Sequence, residues 1–165
     1  MMRLFLEEVT EIALCFEEVR ARLSGEGSWL SPLASAAQEE GESIIVRVGP
    51  SWASGLAARK VRVTLGPPHD RGTAVVVPVS WRSSEHPGLF PVLDGDIELS
   101  ALGPEACRLS LAASYEPPFG EIGARLDRAL MHRVARSTVS SFLTRVAALL
   151  ESQGADDPAA EGTTT

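Results

Sequence analysis

The stretch that decides the fold runs from Gly95 to Ser152: GDIELSALGPEACRLSLAASYEPPFGEIGARLDRALMHRVARSTVSSFLTRVAALLES. Its first part has a period of two. Ile97 and Leu99 alternate with Glu98 and Ser100, and Leu109, Leu111, Ala113 and Tyr115 alternate with Arg108, Ser110, Ala112 and Ser114. Strands with one dry and one wet face produce that period, and Leu102 to Glu105 supply the turn of a hairpin. Pro117 and Pro118 cannot donate to a ladder, so they end the second strand. From Phe119 to about Ser152 no proline intervenes and the period turns helical, which predicts one long helix.

Working back toward the N-terminus, the period of two recurs. Val75, Val77, Val79 and Trp81 share one side of a strand over Thr73 to Arg82, in which Pro78 calls for an edge or a bulge. Turn signals precede it at Gly66-Pro67-Pro68 and Asp70-Arg71-Gly72. Val61, Val63 and Leu65 alternate with Lys60, Arg62 and Thr64, and Ile44 to Val48 is a further strand. Gly49 to Ala58, with Gly, Pro, two Ser and Trp52, is too long for a tight turn and reads as a mobile loop. Met2 to about Thr10 suits an opening strand, although Glu7, Glu8 and Glu11 crowd its end. Ala13 to Leu23 puts Phe16, Val19 and Leu23 on one helical face, ended by Ser24 and Gly25. Ser31 and Pro32 then form a start signal for a second short helix that Gly41 would end.

The chain of 165 residues falls in the one-domain range, 44% apolar and 22% charged, as in an ordinary globular protein. One domain is expected over residues 1–153, and the small, acidic, threonine-ended residues 154–165 read as a disordered tail. A formal charge of -7 argues against a nucleic-acid surface. No apolar run is long enough for membrane insertion, and Glu7 and Glu8 stand where an export signal needs apolar residues, so a cytoplasmic location is expected. Cys15 and Cys107 lack the paired spacing of metal sites or disulfide frameworks and read as buried free thiols. Lys60 is the only lysine and asparagine is absent, which excludes N-glycosylation.

The order strand, two short helices, about six to seven antiparallel strands and one long helix resembles the START-like superfamily, also called SRPBCC, over Met2 to about Ser152. The most recognisable part is Ser114-Tyr115-Glu116-Pro117-Pro118-Phe119-Gly120, leading into Leu126 to Ala135 and then Thr138 to Phe142, which looks like the strand-to-helix junction of bacterial members. The resemblance implies an α+β helix-grip fold in which a curved antiparallel sheet wraps around the C-terminal helix and leaves a cavity between them. Members bind lipids, sterols, polyketides or other apolar molecules, and some are cyclases or partners of other proteins. The superfamily shares no universal catalytic residues, so the resemblance carries none onto this chain, and fold alone does not imply function.

At about 100° per residue, Phe119, Ile122, Leu126, Ala129, Leu130 and Val134 form one apolar stripe of the long helix, and Val139, Phe142, Leu143, Val146, Leu149 and Leu150 another nearly opposite. The switch falls at Ser137-Thr138-Val139-Ser140-Ser141, whose hydroxyls can bond back to the preceding turn and bend a helix. Before it, Arg125, Arg128, His132 and Arg136 make a basic stripe. That stripe is either a solvated face paired with Glu121 and neighbouring acids, or a pocket wall that receives the carboxylate or phosphate end of an amphipathic ligand. On the second reading Arg128, His132, Arg136, Phe142, Trp52 and Trp81 are the candidate binding residues. The tryptophans, Trp29 included, more often pack than bind, and Trp52 is the expected exception because its loop is otherwise polar.

His69 beside Asp70 and His86 beside Glu85 lie in turns without further ligands, which makes them surface residues rather than acid/base or metal pairs. Gly25-Glu26-Gly27 lacks the third glycine of a nucleotide fingerprint, and there is neither a Gly-x-Ser-x-Gly elbow nor a phosphate-binding loop. No cofactor or metal is called for. The expected partner is an apolar or amphipathic small molecule, lipid or polyketide-like. An enzyme of the polyketide cyclase or dehydratase type, using His132 with Arg128 or Arg136, is the first alternative. An interaction module whose apolar groove takes a partner helix or a second copy, as a homodimer, is the second.

Overall fold

The computed structural model describes residues 3–24, 29, 34–40, 43–48, 59–82, 92–116 and 128–153. Among these residues the strands are β1 (Leu4–Ile12), β2 (Ala34–Glu40), β3 (Ser43–Val48), β4 (Arg59–Leu65), β5 (His69–Asp70), β6 (Ala74–Arg82), β7 (Val92–Ala101) and β8 (Cys107–Glu116). The helices are α1 (Phe16–Leu23) and α2 (Arg128–Ser152). All pairings are antiparallel, in the order β1-β8-β7-β6-β4-β3-β2, with the two-residue β5 beside β6. The helix α2 touches β1 and β8 near one end of this order and β3 near the other, which requires the sheet to curve around it. This is the α+β helix-grip arrangement.

The hairpin at the centre of the sequence reading is present as β7 and β8, paired from Val92↔Glu116 to Ala101↔Cys107 and closed by Leu102 N–H donating to the Ala106 carbonyl at 3.0 Å. Period two places Leu93, Ile97 and Leu99, with Leu109, Leu111, Ala113 and Tyr115, on the inner face, and all of them are buried. Gly95 sits in this face opposite Ala113. A Cβ added there would lie 2.4 Å from the Ala112 carbonyl oxygen and 2.6 Å from the Ala113 Cβ, so the two strands approach too closely for any side chain.

Several expectations need correction. Ala34–Glu40, read as the second short helix, is strand β2. Its Ala-Ser-Ala-Ala-Gln-Glu-Glu favours helix on propensity, but β3 offers a ladder partner, and the pairs Ala34↔Val46, Ala36↔Ile45 and Glu40↔Ser43 form with register shifts between them. Helix propensity is a weak prior, and tertiary pairing overrides it. With β2 and β5 included, the sheet has eight strands rather than six or seven. Pro78 lies neither on an edge nor in a bulge: β6 pairs β7 on one side, and on the other meets β4 as far as Leu65↔Val79 and β5 from His69↔Val76. The proline faces the Gly66-Pro67-Pro68 connection between those two partners, where its carbonyl accepts from Gly66 N–H at 2.8 Å and no ladder donor is needed.

The helix α2 is continuous from Arg128 to Ser152. Its apolar face does not switch sides. Ala135, Thr138, Val139, Phe142, Leu143, Val146, Ala147 and Leu150 form one buried face, whereas Ala129 is exposed and Leu130 is 45% exposed. The two-stripe reading assumed that every apolar residue turns inward, yet much of a folded surface is apolar. Thr138 does bond back, its Oγ1 donating to the Val134 carbonyl at 2.8 Å. The C-terminal end of α2 is tied down beside α1: Arg22 donates to the Leu150 carbonyl, the Glu151 carboxylate accepts from Ala13 N–H at 2.9 Å, and Gln153 Nε2 donates to the Trp29 carbonyl at 3.3 Å. The first part of the expected helix, the loop 49–58 and the tail 154–165 lie outside the described residues.

Candidate functional site

A single row of side chains crosses the inner face of the sheet. Leu4 pairs with Tyr115, Tyr115 with Leu93, Leu93 with Trp81, and Trp81 with Val63, and all five are buried. Directly opposed residues on neighbouring strands point the same way, so this row faces α2 as a unit. Phe142 closes it from the helix side, with its ring 5.1 Å from that of Trp81 and tilted by 73°. Trp81 meets Tyr115 at 6.4 Å and 84°. Both contacts are edge-to-face, the arrangement that the ring quadrupoles favour.

The polar atoms in this apolar setting can be followed one by one. Burial pushes the Tyr115 phenol up to about 12, although its hydrogen bond with the Thr138 hydroxyl works the other way. Thr138, 2% exposed, donates its own hydroxyl hydrogen bond to the Val134 carbonyl. Tyr115 and Thr138 are therefore satisfied. The Trp81 indole is not: its Nε1 is buried and has no hydrogen-bond partner, alone among the described buried side-chain nitrogens and oxygens. An indole nitrogen can only donate, and leaving a buried donor unmatched costs about 1–3 kcal/mol. An acceptor brought to Nε1 would recover that cost.

The candidate residues therefore separate. Trp81 and Phe142 meet inside. His132 and Arg136 stand on the flank of α2, where Arg136 Nε donates to Glu8 Oε1 at 2.7 Å; His132 is exposed and the Arg136 side chain is 58% exposed. Arg128 begins α2, and Trp52, Glu121, Arg125 and His86 fall outside the described residues. His69 and Asp70 form β5; Asp70 accepts from Gly72 N–H at 2.8 Å and pairs with Arg20, and the Gly72 bond first, then the Arg20 guanidinium, hold its carboxyl below the usual range. Sequence reasoning passed over Tyr115, Thr138 and Glu8. Glu8 had a signal: it shares strand parity with Leu4, Leu6 and Ile12, an acid on the inner side, and its side chain is only 14% exposed.

A curved antiparallel sheet gripping one long helix is a START-like helix-grip fold. The solved structures it resembles include the ZhuI aromatase/cyclase from Streptomyces sp. R1128, at 18% identity and TM-score 0.54, covering 98% of this chain and 100% of that one. Norcoclaurine synthase from Thalictrum flavum, in complex with dopamine and hydroxybenzaldehyde, matches at 12% identity and TM-score 0.56, covering 95% and 89%. A START superfamily protein from Mycobacterium smegmatis matches at 13% identity and TM-score 0.52, covering 90% and 95%. No family model and no curated protein matches the sequence. Among the described residues no helix is long and apolar enough to cross a membrane, and no group of His, Cys, Asp and Glu could hold a metal ion.

Proposed function

We propose that the chain binds a small, mainly apolar molecule between the inner face of the sheet and α2, and that the molecule carries a hydrogen-bond acceptor. One observation carries this reading: the Trp81 Nε1–H, buried and unpartnered between Tyr115 and Phe142. A purely structural interior gains nothing from such a donor, whereas a carbonyl or phenolic oxygen from a ligand would complete it. Trp81 and Phe142 are the contact residues of this proposal. Two neighbours lend support, one named as an aromatase/cyclase and one solved with dopamine and hydroxybenzaldehyde, since both names speak of small aromatic compounds in the same fold.

Native mass spectrometry of freshly purified protein tests the reading. A discrete extra mass that survives gentle ionisation, and is lost in Trp81→Phe, is the expected outcome. A ligand-free spectrum, together with no uptake of added aromatic ketones, contradicts it.

A further inference from the structure

Away from the aromatic cluster, an open groove of about 450 Å³ lies between the flank of α2 and β1. Two interleaved i, i+4 rows of the helix form one wall, Ala129-Arg133-Ser137 and His132-Arg136-Ser140, and Glu8 of β1 faces them. Two guanidiniums against one carboxylate leave this groove locally positive on a chain whose formal charge is -7. An ordinary surface ion pair accounts for Arg136 and Glu8. It does not account for a second guanidinium, an imidazole and two hydroxyls gathered in the same concavity.

The pairing geometry adds a second point. Glu8 is mostly buried and takes Arg136 through Nε, which fixes the guanidinium while its two terminal nitrogens make no hydrogen bond among the described residues. A guanidinium held in that way presents its remaining fork in a fixed direction, the geometry that suits a planar or tetrahedral oxyanion. We propose that this groove is a binding site for the phosphate group of a small soluble compound, with Arg136 and Arg133 as charge partners and His132 and Ser140 as further donors. A membrane lipid is the less suitable source, because an acidic protein is repelled from an anionic surface. The site is separate from the interior proposed above, and either can fail without the other.

The test is an NMR titration of the full chain with inorganic pyrophosphate at low ionic strength. Saturable shifts of the His132 ring and of the α2 amides along this flank are expected. Arg133→Gln should weaken binding by about tenfold, the loss of one charge-assisted hydrogen bond. Glu8→Gln keeps an amide oxygen to accept from Arg136 Nε while removing the competing charge, and should strengthen it. Arg108→Gln, an exposed change on the outer face of β8, should leave it unaltered. Shifts that do not saturate or that centre elsewhere overturn the proposal, and so does equal weakening by Arg108→Gln and Arg133→Gln, which would reveal diffuse charge attraction.

Discussion

The indole of Trp81 and the ring of Phe142 stand edge to face at 5.1 Å, and through them strand β6 meets the C-terminal helix. This contact joins the grip of the fold to the proposed binding interior, so substitutions on its two sides should have different consequences. Phe142→Ala empties a fully packed position and should cost about 3–5 kcal/mol of unfolding free energy. Trp81→Phe gives up some volume but also removes the unmatched donor, so its cost should be clearly smaller, near 1–2 kcal/mol. Urea unfolding of the two variants checks the order; a larger loss for Trp81→Phe would mean that the indole N–H is satisfied after all.

Tyr115 is the only tyrosine of the chain, so absorbance near 295 nm follows one phenol. In the folded state burial pushes it up to about 12, against 10.0 for the ordinary group. Its contribution to stability is therefore complete below pH 10 and is lost as pH rises from there through 12. Phenolate should form only together with alkaline unfolding, followed by circular dichroism. A reversible titration at the ordinary tyrosine value with the fold intact would contradict this placement.

The two thiols should differ in reactivity. Cys107 is fully buried at the end of β8, and burial, with smaller contributions from Cys15 and Glu151, pushes it up to about 11. The thiolate is the reactive form, so at pH 8 a thiol-specific reagent should label the half-exposed Cys15 readily and Cys107 only on unfolding. Labelling of both at similar rates in native protein would count against the described packing of β1, α1 and β8.

Gly95→Ala should destabilise by about 1–3 kcal/mol, because the new methyl has to displace strand β8 at Ala112 and Ala113. The mirror change Ala113→Gly relieves that contact, so the double variant should recover part of the loss. Denaturation of the two single variants and the double variant measures the recovery; strict additivity would show that the strands are not in contact there.

Much of this was legible from period alone. Alternation through Val75–Trp81, Ile97–Leu99 and Leu109–Tyr115 marked inner faces that the structure buries, and a proline-free C-terminal run marked the gripped helix. What period could not supply was context. Ala34–Glu40 looked helical because Ser31-Pro32 and Gly41 bracket it with helix start and stop signals, and only the neighbouring β3 makes it a strand. The helix stripes misled because Leu130 is apolar yet exposed; of the two readings open for the basic residues, His132 and Arg136 stand exposed on the flank of α2, with Arg136 paired to Glu8. The Trp81 donor was invisible for another reason: an unmatched hydrogen bond is a property of three-dimensional surroundings.

The central claim is that the Trp81 indole awaits an acceptor from a bound molecule. The chain has three tryptophans, so an ¹⁵N-labelled sample gives at most three indole N–H signals, and Trp81→Phe assigns one of them. Benzophenone and diphenylmethane have similar shapes and differ in a carbonyl acceptor. The account predicts that benzophenone moves the Trp81 signal downfield in a saturable way and binds more tightly than diphenylmethane. An unmoved Trp81 signal with bound benzophenone, or equal binding of the two compounds, would contradict it.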